Sequence, residues 1–210
     1  MSLISSQTIP HAGIAAGIGP CDKRLCKNAA QHADRRRPSR RADRFLEESG
    51  SPFRHSQAHL HGGGLQRFHS VRNGLSALPR TVVLIAVHDG VRPLVSSDLI
   101  LETVECAAAH GTAIPVVEAV DSLRQLTPDG SHPIDRNTLR IVQTPQVFDA
   151  ELLRRAYELD YSPDFTDDAS VVERAGHAVT LCHGERGNLK ITTADDLPIA
   201  ESNSFIQSIP

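Results

Sequence analysis

The segment "VHDGVRP" (87–93) sets an acid, a glycine and a guanidinium directly behind a run of residues suited to burial. A carboxylate at Asp89 can hold Mg²⁺ on a nucleotide, Gly90 lets backbone approach a ligand, and Arg92 can grip a phosphate through paired N–H donors. A plainer arrangement uses the same residues, with Asp89 capping a turn and Arg92 paired to it on the surface. No Ser-His-Asp or Cys-His arrangement stands out as a nucleophile with its base. The four cysteines, Cys21, Cys26, Cys106 and Cys182, form no CxxC pair and no zinc-like spacing with histidine, so free thiols in a reducing compartment are expected.

Residues behind a strand act on a ligand only if the strand ends at the mouth of a sheet, and the flanking sequence predicts one. "TVVLIAV" (81–87) is β-branched without alternation, which suits a strand buried on both faces. A helix is expected before it over 67–78, where Phe68, Val71, Leu75 and Leu78 share one face. After it, a serine-capped helix over 96–111 ends at Gly111, and "TAIPVV" (112–117) is a second buried strand. Strand, helix, strand implies a right-handed parallel crossover. Residues 122–142 turn about Pro128-Asp129-Gly130 and read as a projecting β-arm. Helices over 149–160 and 166–176, a strand over 177–184 and a helix opening over 192–203 complete the pattern, Thr193 and Asp196 having capping-box spacing. The expected fold is α/β: a Rossmann-like, mostly parallel sheet with flanking helices and a β-arm, spanning 63–205. Asp89, Gly90 and Arg92 then lie just past a strand's carboxyl end, where such sheets bind ligands.

Composition excludes several alternatives. A formal net charge of -3 gives no reason to expect nucleic acid or a membrane surface as partner. The longest apolar run falls far short of the roughly 20 residues a membrane helix needs, and the start of the chain lacks the order of a secretory signal, so a cytoplasmic protein is expected. The chain is uneven, however: residues 1–62 hold no valine against 15 in the remainder, and ten Lys+Arg against five Asp+Glu. "RRRPSRRADR" has no interleaved aromatics and reads as a solvated or disordered segment rather than a nucleic-acid patch.

"GGLQRFHSVRNGL", "VHDGVRPLV", "DSLRQL", "IDRN", "VQTPQVF", "FTDDASVVE" and "NLKITTADDLPIAE" occur in register over about residues 62–202. In these the chain resembles the cytidylyltransferases that join CTP to 2-C-methyl-D-erythritol 4-phosphate in non-mevalonate isoprenoid synthesis. The resemblance implies Asp89 as the magnesium and substrate carboxylate, Gly90 beside the nucleotide and Arg92 near the sugar phosphate. It places Arg136, Thr144, Thr166 and Lys190 around that phosphate, Arg136 and Lys190 holding it for attack, with Ser122 on an arm that reaches across a homodimer. Gly64, Arg67 and Ser70 match the turn and helix start near the cytidine. Mg²⁺, CTP and a sugar-alcohol phosphate are the implied cofactor and partners.

The N-terminal part departs from that family, whose members open on a strand and a glycine-rich loop with an arginine, then Pro-Lys-Gln. Here "GIAAGIGPCDKRLCK" (13–27) keeps Gly17 and Gly19 but sets Pro20 and Cys21 where the arginine belongs, and no strand is evident before it. Residues 1–62 are therefore expected to be an atypical segment, read out of frame or otherwise replaced, leaving the enzyme impaired. The alternatives are a ribitol phosphate cytidylyltransferase, or a non-catalytic dimerising remnant.

Overall fold

The computed structural model describes residues 13–18 and 64–207. Its largest sheet contains β1 (Gly13–Ile18), β2 (Leu84–Asp89), β3 (Thr112–Glu118), β6 (Arg140–Val142), β7 (Gln146–Asp149) and β8 (Leu181–His183). The order is β1-β2-β7-β3-β6, with β8 also pairing β3. Helix α1 (Arg67–Ala77) precedes β2, and α2 (Ser97–His110) connects β2 to β3. Helices α3 (Ala150–Ala156), α4 (Asp168–Arg174) and α5 (Asp196–Gln207) follow. The α/β class with flanking helices is as expected.

The pairing is more mixed than a mostly parallel sheet. Strand β7 runs antiparallel between β2 and β3, so those two point the same way without touching, and only β3–β8 pairs in parallel among the described residues. Burial on both faces explains why the β2 segment does not alternate. Ile85 and Val87 pack with Ile114, Phe148 and residues of α1, α3 and α4, whereas Leu84 and Ala86 lie in a second cluster with Ala107 of α2, Ala113 and Val147. Phe68 of α1 stacks on Tyr157 at 4.8 Å between ring centroids, which joins α1 to the chain leaving α3.

Strand β2 starts at Leu84 rather than at residue 81, because the chain first closes a turn in which Val82 N–H donates to the Pro79 carbonyl. The strand also runs two residues beyond 87, so Asp89 is its last residue rather than lying past its end. Helix α2 has the expected ends: Ser96 Oγ accepts from Leu99 N–H at 3.0 Å, and Gly111 has a φ of 84° that other residues rarely adopt. Helices α3 and α4 are shorter than 149–160 and 166–176, and the cap of α4 is Asp167, not Thr166. The Asp196 carboxylate accepts from the N–H groups of Thr192 and Thr193, both at 2.8 Å.

The arm proper is narrower than 122–142. Strands β4 (Leu123–Thr127) and β5 (Gly130–Ile134) form a separate antiparallel ribbon, and the chain then returns through Arg136–Thr138 to β6 on the main sheet. At the other end, Gly17 pairs with Ile85 inside β1, antiparallel to β2. Its backbone is thus part of a ladder rather than of a phosphate-cradling loop. Gly19 and the rest of 19–63 lie outside the described residues. Among the described residues no helix is long and apolar enough to cross a membrane.

Candidate active site

Asp89 is the centre of the site. The end of β2 delivers its carboxylate to three cations: Lys190 Nζ lies 3.1 Å and Arg92 Nε 3.5 Å from Oδ2, and Arg67 Nε lies 3.7 Å from Oδ1. Burial alone would raise its pKa, but the Lys190 hydrogen bond and charge, then Arg67 and Arg92, hold it below the usual carboxylate range. Its own N–H donates to Thr144 Oγ1 at 3.0 Å, tying the strand end to the loop before β7.

Arg92 follows a turn in which its N–H donates to the Asp89 carbonyl. The plainer sequence reading had this pair on the surface; Arg92 is instead only 8% exposed. Its Nη1 donates to the Asn188 carbonyl at 2.8 Å and Nη2 reaches the Val142 carbonyl at 3.4 Å, while Nε has no hydrogen-bond partner. Burial lowers its pKa, offset only in part by Asp89. Two of its nitrogens are thus held by backbone carbonyls and Nε faces the Asp89 carboxylate, which fixes the guanidinium at the strand end.

His88 bridges the same two loops. Its Nε2 faces the Arg92 carbonyl at 3.0 Å, which can only accept, so Nε2 carries the proton. Nδ1 then accepts from the Thr144 hydroxyl at 3.0 Å. Burial, the largest influence, lowers the histidine pKa and favours this neutral form.

Arg67, the first residue of α1, is anchored by Asp168. Its Nη2 donates to Oδ2 of that fully buried carboxylate at 2.6 Å, and Tyr157 Oη donates to Oδ1 at 2.5 Å. Burial pulls the Arg67 pKa down, but Asp168, with Tyr157 and Asp89, outweighs it and the net shift is upward. Burial, then Asp168, pushes the Tyr157 hydroxyl up, so it stays a donor.

Asp89, Arg92, Thr144, Lys190 and Arg67 are thus brought together. Gly64 and Ser70 meet at the head of α1, where Ser70 Oγ accepts from Gly64 N–H at 2.9 Å. A Cβ on Gly64 would stand 2.2 Å from that of His69, so no side chain fits. Gly90 is exposed in the turn after β2. Ser122 and Arg136 lie exposed at the base of the arm, the Arg136 guanidinium donating to the Val120 carbonyl. Neither makes a hydrogen bond or ion pair with the Asp89 cluster among the described residues, and Thr166 is exposed just before α4. The sequence reading gave no role to Asp168, Asn188 or His88. A doubled acid in "FTDD" was the one visible signal for Asp168, and nothing in "NLKIT" distinguishes a fully buried asparagine from a turn residue.

Asp89 is the candidate holder of Mg²⁺. Among the described residues no group of three or more His, Cys, Asp and Glu could hold a metal by itself. Mg²⁺ on a nucleotide needs only one or two carboxylates besides the phosphates. Among the described residues Oδ1 of Asp89 accepts no hydrogen bond, and the nearest cation to it is Arg67 at 3.7 Å, which fits that demand.

The sequence profile of IspD, 2-C-methyl-D-erythritol 4-phosphate cytidylyltransferase, matches residues 41–205. The curated enzyme of that name from Bacteroides fragilis is 49% identical over 158 residues, covering 75% of this chain and 70% of that one. The one from Bacteroides thetaiotaomicron is 51% identical over 140 residues, covering 67% and 64%. The crystal structure of the Thermus thermophilus enzyme superposes with a TM-score of 0.61 at 36% identity, covering 68% of this chain and 70% of that one. For the 4-diphosphocytidyl-2C-methyl-D-erythritol synthase of Anaerococcus prevotii the TM-score is 0.64 at 27% identity, with 80% and 75% covered. The chain therefore spans 64 to 70% of the length of these two curated relatives. The match includes every element from α1 to β8 and every residue around Asp89. The chain belongs to the 2-C-methyl-D-erythritol 4-phosphate cytidylyltransferase family.

Proposed function

We propose that this chain binds 2-C-methyl-D-erythritol 4-phosphate at the Asp89 cluster and joins it to CTP, releasing pyrophosphate, and that its first 62 residues limit turnover. The observation that carries this is the cluster's composition: Asp89 and Asp168 against Arg67, Arg92 and Lys190 leave one net positive charge at a strand end. A phosphate monoester is already anionic at neutral pH, so its oxygen attacks the α-phosphorus of CTP without a general base. The new P–O bond forms as the bond to the bridging oxygen of pyrophosphate breaks. The protein must bring two polyanions into line and neutralise the charge that develops. Lys190 and Arg92 hold the sugar phosphate, and Thr144, which fixes the Asp89 backbone, sets their common partner. Mg²⁺ held by Asp89 would supply charge neutralisation on the triphosphate.

The triphosphate itself requires donors at the first loop, and the missing arginine and Pro20 leave "GIAAGIGPCDKR" short of them. The family profile begins at residue 41, beyond that loop. Ser122 and Arg136 belong to an arm that suits a partner's site: both faces of β4 are exposed, Leu126 to 82%, and such a ribbon is marginal alone. A homodimer in the cytoplasm, where CTP is consumed, is the assembly that fits. Pyrophosphate release from CTP, measured in Mg²⁺ with methylerythritol phosphate and with ribitol phosphate, tests the reading. Release only with ribitol phosphate would overturn it.

A further inference from the structure

We propose that Asn188 is a positioning residue of the sugar-phosphate half-site: its buried side chain clamps the loop carrying Lys190 to the loop carrying Thr144. This rests on the function proposed above. Asn188 is fully buried. Its Nδ2 donates to the Thr144 carbonyl at 2.8 Å, and its own carbonyl accepts from Arg92 Nη1 at 2.8 Å. Two residues on, Lys190 reaches Asp89. Thr144, in turn, receives the Asp89 N–H. Three groups around Asp89 therefore sit on segments that meet at one asparagine.

Other bonds already secure the ends of this loop. Gln143 Nε2 donates to the Glu185 carbonyl at 2.7 Å, its Oε1 accepts from Glu185 N–H at 3.1 Å, and Ile191 N–H donates to the Val91 carbonyl at 2.8 Å. Loss of the Asn188 side chain thus leaves 184–191 attached at both ends and its middle tied only through the Asn188 backbone, whose carbonyl accepts from Arg92 Nη1 and Gln143 Nε2, so the direct link from the Lys190 loop to the Thr144 carbonyl is what is lost. Among the described residues Asn188 Oδ1 is also buried with no hydrogen-bond partner. A site selected for packing alone would not keep an orphaned acceptor, which costs stability. The amide is held for its donor, which satisfies a buried carbonyl without adding a charge next to Arg92 and Lys190.

The experiment uses the full chain with Asn188→Ala, Lys190→Ala and the double variant, with Asn188→Ser as a milder truncation should the alanine form fold poorly. Calorimetry is run with methylerythritol phosphate and with CTP. Because Asn188 acts by aiming Lys190, its loss should weaken sugar-phosphate binding by no more than the charge-assisted contact of that lysine, about tenfold to a hundredfold. CTP binding should be unchanged, and the double variant should lose less than the product of the two single losses. Hydrogen exchange at the Asp89 amide, which donates to Thr144, should quicken in both Asn188 variants with no ligand present. Multiplicative losses, equal weakening of CTP, or an Asp89 amide that exchanges as before would each overturn the role. Failure of the unmutated chain to bind methylerythritol phosphate would sink the functional reading, while the exchange measurement still decides the role of Asn188.

Discussion

Replacing Arg67 by methionine keeps the apolar stem and removes the guanidinium from a carboxylate that has no access to solvent. Among the described residues Asp168 would be left with the Tyr157 hydroxyl as its remaining side-chain partner. Breaking a buried ion pair from one side costs about 3–5 kcal/mol. The Arg67 side chain is 22% exposed, so part of the attraction is already screened and the lower end, about 3 kcal/mol, applies. Asp168→Asn alone should cost less, since the amide oxygen still accepts from Tyr157 and Arg67 can shift toward Asp89. In the double variant no charge is stranded, so its loss should fall well below the sum of the single losses. Urea denaturation followed by circular dichroism gives the three values, provided the slopes stay equal. A loss under about 1 kcal/mol for Arg67→Met, the range of an exposed pair, would refute the reasoning, as would a double variant equal to the sum.

Lys190→Ala deletes a cation 3.1 Å from Asp89 and should cost about 1.5–3 kcal/mol of sugar-phosphate binding, read by calorimetry; an unchanged affinity would remove Lys190 from the site. The lowered pKa of His88 means that the unfolded chain takes up a proton near the ordinary value of 6.5 while the fold resists it. Stability should therefore be fully present above that pH and decline as pH falls below it, a trend that His88→Gln should flatten in denaturation curves taken across the window. If the exposed arm pairs two copies, Leu126→Asp should turn a dimer into a monomer in sedimentation equilibrium; a monomeric unmutated chain would defeat that arrangement.

The fold was legible wherever local chemistry and burial agree. Ser96 and Gly111 bracket α2 because a cap and a left-handed glycine are local signals. Unbroken apolar sequence marked the β2 region, but where it begins was decided by a turn at Pro79 that periodicity does not reveal. Strand β7 was missed altogether: "QVFD" is too short to show a period, and only its pairing with β2 and β3 makes it a strand, antiparallel to both. At the site, Asp89 and Arg92 could be named from their types directly behind a buried run, and Thr144 and Lys190 because family motifs carry them. Asp168 and Asn188 could not, because what distinguishes them is complete burial with specific partners far along the chain. Arg67 carried the right motif, yet its partners are two carboxylates, one of them 101 residues away.

Two titrations of one purified sample of the unmutated chain test the central claim most directly: calorimetry with methylerythritol phosphate, and pyrophosphate release from CTP with that sugar phosphate in Mg²⁺. We expect binding of the sugar phosphate with little turnover, because losing even one donor aimed at developing charge costs about 10²- to 10³-fold in rate. Turnover at an ordinary enzymatic rate, about 1 to 10³ per second, would contradict the claim of an impaired nucleotide loop, and no binding at all would contradict the sugar-phosphate site itself.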